Sequence, residues 1–309
     1  MRVIFLGAGA SKAMGLPITG ELLPLMIAAA QNNTLFAHHK NAPSKREELL
    51  QIIIEMVPGS ATKATQPSIV DVLSLLDFAL TEGFTLFHTG GAAKLRRARE
   101  LLESGLLGVL AQCQMSQKYL SSLQGLCSRD KTCLITTNYD SLIDLAIRAA
   151  QIPIEQIDYG MPWRNINTGL LQQRPMSTAA APGPLLRFFK LHGSVNWLGC
   201  PYCQYIYINQ EADIASLDID TDTNLFGLAS TCHCDYAPLR RVIVSPSLSR
   251  GSYQTHLRTI HLAALEALRL ADEVYLVGYS LPMEDLLVRS LLLRAFSAQT
   301  RNCKIQVYQ

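Results

Sequence analysis

Length, composition and charge describe a chain that folds as a globular protein of one or two domains. Its 309 residues are 49% hydrophobic and 17% charged, and 19 glycines with 14 prolines are ordinary for a folded protein. The formal net charge is only +2, so the chain lacks the basic surface that binding to a nucleic-acid backbone requires. We therefore expect no direct contact with nucleic acid.

The chain begins with an apolar strand, a glycine-rich loop and the start of a helix. Residues 2–6 form the strand, and Gly7-Ala8-Gly9-Ala10-Ser11 follows it at once. This order is typical of nucleotide-binding units, because the backbone N–H groups at the start of the helix hold phosphate. Gly7, Ala8, Gly9 and Ser11 are therefore candidate cofactor-binding residues, although glycine pairs also close such turns without a ligand.

No apolar run is long enough to form a signal peptide or to span a membrane. The first run stops at Gly7, and the longest, residues 22–30, contains Pro24. We therefore expect a cytoplasmic protein.

Residues 19–129 predict helices and almost no strands. Apolar side chains recur at helical spacing in several segments, which Pro43, Pro58 and Gly90-Gly91 separate. The predicted helices span residues 21–31, 46–56, 69–80, 93–113 and 117–127. We interpret residues 19–129 as a helical insert in a Rossmann-like domain formed by residues 1–18 and 130–309.

The rest of the chain alternates strands and helices, which predicts an α/β fold with a Rossmann-like parallel sheet flanked by helices. The predicted strands span residues 133–137, 188–191, 241–244, 273–277 and 304–308, and the predicted helices span residues 141–150, 256–269 and 284–296. Polar side chains follow two of these strands, in Thr137-Asn138-Tyr139-Asp140 and at His192. Ligands bind at the carboxyl ends of parallel strands, so we expect both segments to lie beside the glycine loop.

Asn138, Asp140 and His192 are candidate catalytic residues. The amide of Asn138 both donates and accepts hydrogen bonds, and the carboxylate of Asp140 can stabilise positive charge on a sugar. An imidazole such as that of His192 can take a proton from a hydroxyl group or from water near neutral pH. The structural alternatives are that Asp140 caps the next helix and that His192 is a buried structural histidine. Glu284 and Asp285 are interpreted as the first turn of a helix.

Four of the eight cysteines form two close pairs, Cys200-x2-Cys203 and Cys232-x1-Cys234. Such a set suits a structural zinc ion with four thiolate ligands, which leaves no open position for catalysis. We predict a zinc-ribbon-like module over residues 198–236, with an acidic surface excursion at residues 210–224. Because the second pair is tight, His233 can replace one thiolate, and the alternative is a group of reduced cysteines without a metal. The remaining cysteines are interpreted as small core residues.

Four segments resemble the sirtuin superfamily, and they occur in the order found in that family. They are Gly7-Ala8-Gly9-Ala10-Ser11 with Gly15-Leu16-Pro17, Thr137-Asn138-Tyr139-Asp140, Leu191-His192-Gly193-Ser194, and Gly278-Tyr279-Ser280-Leu281-Pro282. The resemblance implies a Rossmann-like domain that binds NAD and breaks its nicotinamide–ribose bond, with a four-cysteine structural zinc. It assigns catalysis to Asn138, Asp140 and His192. It assigns NAD contacts to Gly7, Ala8, Gly9, Ser11, Thr137, Asn138, Asp140, Gly278 and Ser280.

Two segments depart from the sirtuins that deacylate proteins. Ile18-Thr19-Gly20-Glu21 replaces a segment whose phenylalanine shields the reactive sugar from water, and Val244-Ser245-Pro246-Ser247 replaces part of the acyl-lysine tunnel. In this respect the chain is similar to bacterial sirtuin-like NAD hydrolases of anti-phage defence. The resemblance then implies an NAD glycohydrolase that releases nicotinamide and ADP-ribose with water as the acceptor.

Two other functions stay open at this point. One is a non-catalytic sensor of NAD or an ADP-ribose derivative, and the other is a protein deacylase or ADP-ribosyltransferase. A hydrolase that depletes a shared cofactor must be restrained. We therefore expect a homo-oligomer or a regulatory protein partner, with the contacts in the helical region of residues 19–129.

Overall fold

The protein is described here from a computed structural model. The structure describes residues 1–37, 39, 41–57, 67–113, 119–127, 131–172, 185–209, 231–248, 257–297 and 302–309. In chain order the strands and helices are β1 (Arg2–Leu6), α1 (Ala8–Ala13), α2 (Thr19–Gln31), α3 (Ala42–Met56), α4 (Ile69–Glu82), α5 (Gly91–Gln112), α6 (Leu120–Cys127), β2 (Thr132–Thr136), α7 (Leu142–Ala149), β3 (Ile157–Asp158), β4 (Trp163–Asn165), β5 (Leu171–Gln172), β6 (Leu186–Lys190), β7 (Gly193–Gly199), β8 (Ile206–Ile208), β9 (Arg240–Ile243), α8 (Arg258–Arg269), β10 (Glu273–Val277), α9 (Leu286–Ser297) and β11 (Lys304–Tyr308).

Six strands form a parallel sheet in the order β11-β10-β1-β2-β6-β3. Its centre is buried on both faces, which is why β1 and β2 read as continuous apolar runs rather than alternating ones. Apolar residues of α7, α8 and α9 pack in the same hydrophobic core as the sheet. The predicted α/β fold, a parallel sheet flanked by helices, is confirmed.

Helices α2 to α5 fill the described part of the chain between α1 and α6 and share a second core. Helix α4 shows how the sequence sets their ends: Ser68 and Asp71 form a reciprocal capping box, and Gly83 ends the helix with φ of +78°. Val195 and Ile243 also belong to this second core. The helical layer therefore packs against β7 and β9. Among the described residues, every helix is too short or too polar to cross a bilayer.

A second, mixed sheet has the strand order β5-β4-β8-β7-β9. The prediction that residues 241–244 continue the main sheet is wrong, because β9 pairs antiparallel with β7. Strand β7 begins directly after His192, and all seven of its residues are buried. The strand thus leaves the main sheet at His192 and gives β9 a partner elsewhere. The predicted surface excursion at residues 210–224 lies outside the described residues.

Candidate active site

A cavity of about 500 Å³ lies at the carboxyl ends of β1, β2, β6 and β10. Small-molecule sites commonly have such volumes, and open parallel sheets commonly bind ligands at this edge. The predicted site residues that line the cavity are Ala8, Gly9, Ser11, Thr137, Asn138, Asp140, His192, Gly278 and Ser280. The topology of the sheet thus brings together segments that are far apart in the sequence. Gly7 is the predicted site residue that does not line the cavity.

The glycines of the two nucleotide-binding motifs contact each other through their backbones. A Cβ atom on Gly7 would lie 2.5 Å from the carbonyl oxygen of Gly278, and one on Gly9 would lie 2.8 Å from the Gly278 Cα atom. Gly278 itself has φ of +62°, and a Cβ atom there would lie 2.2 Å from the Ala10 nitrogen. Glycine is therefore required at these positions by close packing as well as by any ligand.

This contact uses part of the predicted phosphate cradle. The N–H group of Gly9 donates to the carbonyl oxygen of Gly278 at 2.8 Å, and that of Ala10 donates to Gly7 at 3.0 Å. Ala8 is the first residue of α1, so no carbonyl group lies one helical turn before it to accept its N–H group. Ala8 is thus the residue of this loop best placed to donate to a phosphate.

Asn138, Ser11 and Asp140 form one chain of hydrogen bonds. The Nδ2 atom of Asn138 donates to the carbonyl oxygen of Gly7 at 2.9 Å and to Ser11 Oγ at 2.7 Å. Ser11 Oγ in turn donates to Asp140 Oδ2 at 2.7 Å. Because a carbonyl oxygen only accepts, the contact with Gly7 fixes which atom of the Asn138 amide is nitrogen. Oδ1 of Asn138 is therefore the atom that can accept from a ligand.

Asp140 is held on its other side by backbone and by a buried lysine. Its Oδ1 atom accepts from the N–H group of Leu142 at 3.1 Å, so Asp140 also supports the start of α7. Lys190 donates to the carbonyl oxygen of Asp140 at 2.6 Å and pairs with Asp144 at 3.0 Å. The Lys190 side chain is fully buried. The structural interpretation of Asp140 as a helix cap is therefore compatible with a second role in the cavity.

His192 is 4% exposed, and both of its ring nitrogens have polar neighbours. Nδ1 lies 3.1 Å from the carbonyl oxygen of Thr137, and Nε2 lies 3.2 Å from Asp285 Oδ1. Tyr279 donates its hydroxyl group to Asp285 Oδ2 at 2.8 Å. Asp285 lines the cavity and was missed as a site residue in the sequence, where only its place before α9 was visible.

The remaining walls of the cavity are largely apolar on one side and acidic on the other. The apolar residues from or near the helical layer and the loop after β9 are Leu16, Pro17, Ile18, Leu22, Leu110 and Pro246. Among the described lining residues there is no lysine or arginine, whereas Asp140, Glu284 and Asp285 supply carboxyl groups. The arrangement favours a ligand that develops positive charge near these carboxyl groups.

Three of the four predicted zinc ligands lie together, beside the second sheet. The Sγ atoms of Cys200, Cys203 and Cys232 lie within 4.8 Å of one another. Those of Cys203 and Cys232 are 3.4 Å apart. Thiolates on a tetrahedral zinc ion lie about 3.8 Å apart, so these three fit such a site. Zinc held there would cross-link the loops after β7 and before β9.

The fourth predicted ligand, Cys234, lies outside this group. Its side chain is exposed, and Arg164 Nη2 lies 3.9 Å from its Sγ atom. The backbone of the tight Cys-x-Cys pair explains this, because the N–H group of Cys234 points to Cys232 Sγ at 3.3 Å. His233 stacks on Tyr207, with the two ring planes 18° apart, instead of joining the thiols. Asp235 is nearer, with an oxygen 3.5 Å from Cys200 Sγ.

Comparisons with known proteins agree with this arrangement. Residues 132–305 match the family model described as SIR2-like domain. Comparison with curated proteins finds no match. Similar solved structures include an ADP-ribose complex of a mutant Sir2 homologue, with 16% identity, 99% of this chain and 78% of the other covered, and a TM-score of 0.40. They also include an NAD complex of a Sir2 homologue, with 17% identity, 99% and 76% of the two chains covered, and a TM-score of 0.34.

Proposed function

Because the chain belongs to the SIR2-like domain family, we propose that it binds NAD in the cavity and hydrolyses its nicotinamide–ribose bond. The observation that carries the proposal is the set of Asn138, Asp140 and His192 around one cavity, joined through Ser11 and Asp285. In the reaction the bond between the ribose C1′ atom and the nicotinamide nitrogen breaks, and its electron pair leaves with nicotinamide. Water supplies the oxygen that bonds to C1′, and its proton goes to a base.

The charges of the cavity support cleavage of this bond. Departure of nicotinamide leaves an oxocarbenium-like ribose, and carboxylates stabilise such a charge in glycoside hydrolysis. Asp140 has this role in the proposal, held in place by Ser11 and by the backbone of Leu142. Asn138 Oδ1 accepts from the carboxamide, a ribose hydroxyl group or the attacking water. His192 takes the proton.

The wall at the start of α2 supports water as the acceptor. Ile18, Thr19 and Gly20 line the cavity at the place where deacylating sirtuins carry their shielding phenylalanine. A Cβ atom on Gly20 would meet no other atom within 4 Å. This open space lets water reach the sugar, and it counts against the deacylase and transferase alternatives.

We propose for the cell a regulated effector that depletes NAD in defence, as the resemblance to bacterial sirtuin-like hydrolases implies. Regulation by self-assembly or by a protein partner is part of this proposal. The thiols of Cys200, Cys203 and Cys232 would hold a structural zinc ion that stabilises the second sheet and takes no part in the reaction.

One observation favours a second candidate, a sensor that binds NAD or an ADP-ribose derivative without cleaving it. Both ring nitrogens of His192 have hydrogen-bond partners within the protein. A histidine held in this way can serve to shape a binding site. The two functions differ in a single measurable step, the release of nicotinamide.

The test is nicotinamide release from NAD by the purified protein at several protein concentrations. Asn138→Ala and His192→Ala are measured beside it, and Glu266→Gln, an exposed carboxyl group on α8, is the control. We expect the two site variants to lower turnover by about 100-fold or more while the control keeps the wild-type rate.

The concentration series tests regulation by assembly, which predicts a turnover per chain that rises with protein concentration. Tight binding of NAD without nicotinamide release at any concentration would replace the hydrolase with the sensor. Turnover that survives in both site variants would refute the assignment of the site.

A further inference from the structure

We infer that Asp285 is a positioning residue for His192, and that the two share one proton with Tyr279 as a third member. The inference rests on the proposed function for what the pair does in turnover. The hydrogen-bonded pair itself is a property of the fold. His192 follows β6, Tyr279 follows β10 and Asp285 precedes α9, so three separate elements contribute to it.

The hydrogen-bond partners of His192 count the protons on its ring. Nδ1 faces the carbonyl oxygen of Thr137, which only accepts, so Nδ1 carries a hydrogen in this arrangement. Nε2 faces Asp285 Oδ1, and a bare nitrogen would not hydrogen-bond to an ionised carboxylate. A second proton therefore lies between Nε2 and Oδ1. The geometry describes the form of the pair that has already taken up a proton.

Asp285 is itself fixed in place. Its side chain is 1% exposed, and the N–H group of Val288 lies 3.4 Å from Oδ1. The Tyr279 hydroxyl group donates to Oδ2 at 2.8 Å, and its ring packs against Phe5 of β1 with centroids 4.9 Å apart. A carboxyl group that is held on both oxygens can in turn hold the imidazole at a defined angle.

This arrangement decides which nitrogen becomes basic when the pair gives up one proton. A carboxylate is a stronger acceptor than a backbone carbonyl group, so the remaining hydrogen stays on Nε2 toward Asp285. Nδ1 then holds the free electron pair. It lies on the side of Thr137, which lines the cavity. In the proposed reaction, Nδ1 accepts the proton from water and the ring returns to the form described here.

The first test uses nitrogen NMR on protein labelled at histidine, with the His192 signals assigned from His192→Ala. In the neutral ring we expect the hydrogen on Nε2 in the wild type and on Nδ1 in Asp285→Ala, where Thr137 is the stronger remaining acceptor. A purely structural Asp285 would leave the tautomer unchanged. This arm needs no substrate, so it decides the pairing even when nicotinamide release is absent and the proposed function fails.

The second test measures nicotinamide release by Asp285→Ala, Asp285→Glu and Tyr279→Phe. We expect a loss of about 100-fold in kcat for the alanine variant with KM within about threefold, a smaller loss for the phenylalanine variant, and partial rescue by glutamate. The double variant of Asp285→Ala and His192→Ala is expected to lose no more than His192→Ala alone, because paired residues act as a unit.

Three outcomes would overturn the inference. They are a wild-type neutral ring with its hydrogen on Nδ1, additive losses in the double variant, and a loss in Asp285→Ala that falls on KM alone. Asp285 is buried, so its alanine variant is checked for folding by thermal unfolding. The wild-type tautomer and Tyr279→Phe keep the inference testable when that variant does not fold.

Discussion

The two sheets build their functional groups in different ways. In the parallel sheet, residues near positions 9, 138, 192 and 278 meet because parallel strands end at the same edge. In the mixed sheet the thiols come from two short loops, and their grouping is local. The first site is therefore held by hydrogen bonds to the backbone of a large core, whereas the second depends on a metal to hold it closed. Damage should spread differently from each.

The largest effect is expected at Gly193, where the chain passes from one sheet to the other. A Cβ atom there would lie 1.7 Å from the carbonyl oxygen of Val242, and φ is +78°. We expect Gly193→Ala to lower the free energy of unfolding by about 4 kcal/mol, or to prevent folding. Thermal or urea unfolding measures this loss.

Gly125→Ala is the control for this change. Gly125 lies within α6, and a Cβ atom there meets nothing within 4 Å. The control is expected to gain about 0.5–1 kcal/mol, because alanine favours helix. Equal stability of the two alanine variants would mean that the junction of the sheets tolerates movement and that our contrast between them is too sharp.

The next effect concerns Lys190, which supports the parallel-sheet site from below. Lys190→Met leaves the buried carboxyl group of Asp144 without its ion pair and removes the hydrogen bond to the Asp140 carbonyl oxygen. We expect a loss of about 3 kcal/mol in the free energy of unfolding, measured with urea. Replacing Asp144 by leucine in the same chain should recover part of it. No loss in the single variant would contradict the buried pairing.

A third and more local effect is expected from the thiols. Cys232→Ser should abolish zinc binding and lower stability by about 2 kcal/mol, because its sulfur lies at the centre of the cysteine group. Cys234→Ser, the matched variant two residues away, should keep most of the zinc. Zinc content of the purified proteins measures both. Equal losses would indicate that Cys234 turns inward as a fourth ligand.

The smallest effect is a pH dependence that belongs to the parallel-sheet side. Burial lowers the pKa of His261, which lies under the site and donates from Nε2 to the Leu191 carbonyl oxygen at 2.8 Å. The unfolded chain therefore binds this proton more readily. The free energy of unfolding should fall as pH drops below about 6.5, by up to about 1 kcal/mol near pH 5.5.

Unfolding measured across this pH range should show a flatter dependence in His261→Gln. His88→Gln, at an exposed position, should keep the wild-type dependence. Identical curves for all three proteins would assign the pH dependence to other groups.

Sequence patterns predicted the main sheet better than the second one, for a physical reason. Residues 304–308 were predicted as a strand with the observed bounds, and the glycine loop was placed after β1. Strand β7 was missed because glycine, serine and asparagine have little intrinsic preference for strands. Its conformation comes from burial between the layers. A pattern of neighbouring residues does not contain that information.

The candidate site shows the same limit. Asn138, Asp140 and His192 could be selected because each follows a predicted strand and carries useful chemistry. Asp285 could not, because its contact with His192 joins residues 93 positions apart. Its local signal, a carboxyl group before a helix, is ordinary. The group of Cys200, Cys203 and Cys232 was predicted from spacing alone, but the orientation of Cys234 depends on backbone geometry.

Helix α2 has a mechanical consequence. It begins at the cavity wall with Thr19 and Gly20 and runs for 13 residues, or about 20 Å, into the helical layer. A rigid rod of that length is a lever: a tilt of about 5° about its far end moves the near end by about 2 Å. Pressure on the outer face of the layer would therefore change the width of the cavity without any change in the sheet.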